Sequence, residues 1–97
     1  MKIKPTELTK LREYFDTSGV SYEAVYWEDN RYNLHVDLGY VKLSFLTSEG
    51  SYGGNQGLIE VYNFHDDPTG YLNADEAIEI CTNLATKWSL EEWNKYE

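Results

Sequence analysis

The stretch from Tyr32 to Leu46, YNLHVDLGYVKLSFL, restricts the fold more than any other part of the chain. A two-residue reversal at Leu38-Gly39 sets Val36 against Val41, Leu34 against Leu43 and Tyr32 against Phe45, so each apolar residue of one strand meets an apolar partner. The same register sets Asp37 against Tyr40, His35 against Lys42 and Asn33 against Ser44 on the other face. A slip of one residue would turn the whole apolar set toward water, so such a hairpin holds its register strongly. The stretch predicts two antiparallel strands with one face on a core and the other in solvent.

The flanking segments extend this pattern. Upstream, Leu8, Leu11 and Phe15 recur at helical spacing, Pro5 suits the first helical position, Ile3 can staple onto Leu8, and Gly19 suits the left-handed residue past the last turn. Val20 to Glu28, VSYEAVYWE, reads as a strand, but Tyr22, Ala24 and Tyr26 on one face and Val25 and Trp27 on the other leave its inward face open. Thr47 to Gly57 is a glycine-rich loop, and Leu58 to His65 returns as a fourth strand. Asp66 to Gly70 breaks that strand. Asn73 and Glu76 have capping-box spacing ahead of Ala77, Ile78, Cys81, Leu84, Ala85 and Trp88, and Ser89 with Glu92 suggests a kink or short last helix. The expected fold is α+β: a single domain over residues 1–97, with a four-stranded antiparallel meander and N- and C-terminal helices on one face. The opposite face is expected to be polar and rich in tyrosine.

Charge is distributed unevenly. The 97 residues carry 17 acids and 8 bases, a formal net charge of −9. Lys2, Lys4, Lys10 and Arg12 crowd the start, whereas residues 43–86 hold Glu49, Glu60, Asp66, Asp67, Asp75, Glu76 and Glu79 with no Lys or Arg. That balance opposes binding to nucleic acid or to an anionic membrane and favours basic partners. Plain solvation of an acidic surface is the alternative. The single cysteine, Cys81, excludes an internal disulfide and suits a reducing compartment. The first residues, MKIKPTELTK, lack the apolar core of a signal peptide, and no apolar run is long enough to span a bilayer. A cytoplasmic location is therefore expected.

No constellation of catalytic or metal-binding residues stands out. SEGSYGGNQG resembles a phosphate cradle in its glycines, but neither a lysine nor a helix start follows it; a mobile hairpin loop or protein-contact loop fits better. His65-Asp66-Asp67 fails the calcium-loop pattern, and His35 and His65 have no second cysteine to complete a zinc site. Cys81 falls on an apolar helical stripe, where a thiol is normally inert packing. Neither a cofactor nor a metal is expected, and no enzymatic activity.

Nine tyrosines and three tryptophans are many for a chain of this size. Tyrosine suits strands, but rings set among carboxylates also build protein interfaces, the rings giving contact area and the acids steering a basic partner. The interface expected on this basis comprises Glu49, Tyr52, Glu60, Tyr62, Asp66, Asp67 and Tyr71. In size, acidity and element order the chain is similar to small phage and mobile-element inhibitors, including anti-restriction and anti-CRISPR DNA mimics. That resemblance implies an inhibitor, monomer or homodimer, that occupies a basic, nucleic-acid-binding surface of another protein without touching nucleic acid itself. An immunity protein against a nuclease toxin and a self-associating assembly module are the other readings, and an enzyme built from scattered carboxylates would leave no linear signature.

Overall fold

In the computed structural model the described residues are 2–39, 41–64 and 67–83. The organising hairpin forms from β2 (Arg31–Asp37) and β3 (Lys42–Ser48), but its reversal lies one residue later than expected. Val36 pairs with Leu43, Leu34 with Phe45 and Tyr32 with Thr47. Moving a turn by one residue changes the pairing by two positions, which keeps every apolar side chain on its face. The cause is local. Asp37 Oδ1 accepts the Gly39 N–H at 2.8 Å, Gly39 takes φ 92°, and Leu38 N–H donates to Val41 O at 2.9 Å.

The sheet has five strands, not four, in the order β1 (Tyr22–Glu28), β2, β3, β4 (Ile59–Tyr62) and β5 (Thr69–Leu72), all neighbours antiparallel. The fifth strand begins inside the expected break at Asp66 to Gly70 and runs two residues beyond it. Its four residues, TGYL, offer neither length nor alternation, and Tyr71 has φ 59°. Leu72 makes it a strand by pairing with Ile59 and burying its side chain. The ambiguity in β1 is resolved by a bulge between Ala24 and Tyr26. Tyr22, Ala24 and Trp27 oppose Val36, Leu34 and Tyr32 on the core face, and Tyr26 turns to the open face.

Both helices cover one face of the sheet. Leu8, Leu11 and Phe15 of α1 (Thr6–Ser18) join Leu34, Val36, Leu43, Phe45, Ile59 and Val61 in one core, with Leu72 and Ala77 closing the far side. Each fully buried Leu, Ile or Phe contributes about 1.5–3 kcal/mol. Pro5 is the N-cap rather than the first helical residue, and Gly19 ends the helix at φ 72°, its N–H donating to Phe15 O. The second helix, α2, is described over residues 74–83 and starts with the expected reciprocal box. Glu76 N–H donates to Asn73 Oδ1 at 2.8 Å, and Asn73 N–H to Glu76 Oε1 at 3.0 Å. A second tie spans the chain: Glu7 Oε1 in α1 accepts the Ala74 N–H at 3.0 Å. The expected continuation through Leu84, Ala85 and Trp88 and the second cap at Ser89 lie outside the described residues. No helix among the described residues is long and apolar enough to cross a membrane.

Candidate interface at the acidic corner and the open sheet face

The glycine-rich segment between β3 and β4 is an ordered packing element. Three of its glycines, Gly53, Gly54 and Gly57, stand where other backbone passes too closely for a side chain, whereas Gly50 is in open space. A Cβ at Gly54 would lie 1.9 Å from Ser48 O, and one at Gly57 would lie 2.7 Å from Lys4 O. Thr47 Oγ1 donates to Leu58 O at 2.9 Å, and Glu7 N–H reaches Gly57 O at 3.4 Å, tying the loop to both layers. The segment winds through a single 3-10 turn, Gly54–Gln56, and delivers Tyr52 to the sheet margin.

There the structure joins three of the residues singled out by charge. Tyr52 N–H donates to Glu60 Oε1 at 3.1 Å, and Tyr71 N–H donates to Tyr52 O at 3.1 Å. Gly70 makes the approach possible, since a Cβ there would fall 2.1 Å from Tyr52 Cβ. The backbone bonds leave both rings outside, with Tyr52 53% and Tyr71 60% exposed. Tyr62 lies two residues from Glu60 on the same sheet face. The other members are dispersed. Glu49 is exposed beside the β1–β2 turn, its N–H donating to Asn30 O at 3.2 Å. Asp67 lines a separate cleft with Leu43, Val61 and Ile80, on the helix side of the sheet. Asp66 lies outside the described residues.

Strand register builds the open face in rows. Tyr26, Asn33, Leu46 and Glu60 form one row; Glu23, His35, Ser44 and Tyr62 form the next. Asn33 and Ser44 are buried despite facing away from the core, and Asn33 Nδ2 donates to Ser44 Oγ at 2.8 Å. Phe64 explains the cover over Ser44. At φ 69° its ring folds back across the second row, 5.0 Å from Tyr62 and 5.9 Å from His35 between centroids. It remains 46% exposed. The bases on this face are Arg31 and Lys42, and Arg31 lies 3.9 Å above the Tyr26 ring.

Sequence reasoning placed His35 on the open face but missed Phe64 and Tyr26 as surface aromatics. Phe64 and Tyr71 are aromatic residues held in the left-handed region, a conformation that costs on the order of 1–2 kcal/mol each. Nothing in their identities announces it. Asp29 and Asn30, the other positive-φ residues apart from glycine, form the ordinary tight hairpin turn between Glu28 and Arg31.

Among the described residues no three His, Cys, Asp or Glu side chains converge as metal ligands. Burial pushes the Cys81 thiol up to about 11, so it is a poor nucleophile at neutral pH. The chain matches no family model, no curated protein and no solved structure.

Proposed function

We propose that this protein is a non-enzymatic binding module that sets its corner of Tyr52, Glu60, Tyr62 and Tyr71 against a basic surface of a partner protein. The observation that carries this reading is the pair of Tyr52 and Tyr71 rings, held outward by backbone hydrogen bonds beside the Glu60 carboxylate. Exposed rings supply contact area at low entropic cost, and surrounding acids steer a basic partner toward them. A partner surface of that kind is typical of proteins that hold nucleic acid. With a formal charge of −9, the chain competes for it as a phosphate backbone does. The likeness to phage and mobile-element inhibitors fits this role, and the lone Cys81 fits a cytoplasmic setting.

The test is capture from a nuclease-treated lysate on the immobilised chain, followed by a salt gradient. The comparison is a variant carrying Tyr52→Ala and Glu60→Gln, the second retaining an acceptor for the Tyr52 N–H. The expected result is a basic partner released at moderate salt, with retention reduced on the order of tenfold in the variant. Equal retention by both chains, or recovery of the chain alone, would contradict the reading.

A further inference from the structure

A cleft of about 340 Å3 opens where β1, β2 and β3 meet near the β2–β3 reversal. It lies at the end of the sheet, lined by Tyr22, Val36 and Leu43 from the core-facing rows and by Glu23, His35, Asp37, Lys42 and Phe64 from the open face. Such a volume lies at the small end of ligand clefts and suits one long side chain better than a cofactor. We propose that it receives the guanidinium of an arginine on the partner; this rests on the binding-module reading and names the chemistry of the group recognised.

Charge and shape point to the same occupant. Asp37 stands opposite Lys42 across the strands, and Glu23 stands opposite His35. Two carboxylates against one lysine leave the cleft lining one negative charge in excess, which suits a single incoming cation. Neither Glu23 nor Asp37 is in an ion pair among the described residues, where Lys10 with Glu7 is the one such pair. A planar guanidinium can stack on a ring while bonding to a carboxylate, which an ammonium cannot do with the same geometry. The chain already stacks two of its own arginines on rings. Arg12 lies 4.7 Å over Trp27 and Arg31 lies 3.9 Å over Tyr26.

The experiment is an NMR titration of the full chain with acetyl-Gly-Arg-Gly-amide and with the same peptide carrying citrulline or lysine instead. Saturable shifts centred on Glu23, His35 and Phe64, with both analogues at least about tenfold weaker, support the assignment. Phe64→Leu should lose the arginine preference and Phe64→Tyr should keep it, because only the second retains a π face. Equal binding of the citrulline peptide, shifts centred elsewhere, or no shifts would overturn it. Undiminished capture of a basic partner by the Phe64→Leu chain would also overturn it, while leaving the binding-module reading intact. Arginine-selective shifts in a chain that captures no partner would instead sustain the cleft and sink the module reading.

Discussion

Replacing Glu7 by Ala removes a bond that joins the first helix to the start of the last described one, 67 residues away. Glu7 Oε1 accepts the Ala74 N–H at 3.0 Å, and Oε2 takes Lys10 Nζ at 3.0 Å. The Lys10 contact is an exposed surface pair and contributes little. A hydrogen bond to a charged acceptor contributes about 1.5–3 kcal/mol, and a carboxylate at a helix N-terminus about 0.3–1 kcal/mol. Asn73 and Glu76 already cap that helix, so the net loss should be about 1–2 kcal/mol. In a domain of this size each kcal/mol lowers Tm by about 4–8 °C. Glu7→Gln keeps the acceptor and loses the charge, so its cost should be roughly half.

The pH dependence gives a second check. The Ala74 N–H, then Lys10, hold the Glu7 carboxyl below the usual glutamate value. The folded form therefore binds the proton less readily than the unfolded chain. The stabilisation is complete above the unfolded value of about 4.3 and is lost as the pH falls through the lower folded value. Urea unfolding of wild type, Glu7→Ala and Glu7→Gln at pH 7 and at about pH 3 measures both effects. The gap between wild type and Glu7→Gln should narrow at the lower pH. A Glu7→Ala chain within about 0.3 kcal/mol of wild type, or a gap that persists undiminished in acid, would refute the reasoning.

Three further outcomes follow from the geometry. Gly54→Ala should destabilise the fold by about 3 kcal/mol or more, since its Cβ would lie 1.9 Å from Ser48 O; an unchanged melting curve would contradict the packed loop. Iodoacetamide at about pH 8 should alkylate Cys81 on the order of a hundredfold faster in denaturant than in buffer, because burial pushes the thiol up to about 11; equal rates would place the thiol in solvent. Tyr71→Gly should be more stable than Tyr71→Ala by about 1 kcal/mol at φ 59° while both lose partner retention, and calorimetry with the capture assay checks the two halves separately.

What was legible in the sequence depended on whether one local pattern decided it. Leu8, Leu11 and Phe15 mark a helix face, and Asn73 with Glu76 marks a helix start, because each signal is complete within a few residues. The faces of the central hairpin were equally plain, but its register was not. Val36 can meet Val41 or Leu43 without exposing either, and the Asp37 side chain at the turn selects the second. Tertiary pairing decided the rest. The bulge after Ala24 needs the β2 ladder, and β5 exists because Leu72 finds Ile59.

The candidate site divides in the same way. Base-free charge pointed to Tyr52, Glu60 and Tyr71, but only the folded loop brings them together. The cleft beside Glu23, His35 and Phe64 depends on cross-strand neighbours and on a positive φ at a phenylalanine, and no linear pattern carries either.

The central claim is that this acidic chain takes the place of nucleic acid on a basic partner. Its most direct test uses the captured partner in purified form, bound to fluorescently labelled duplex DNA, with this chain titrated in at physiological salt. The account predicts release of the DNA at close to one chain per binding site, with the apparent affinity weakening steeply as salt is raised. A partner that binds the chain while retaining its DNA at saturation would contradict the account.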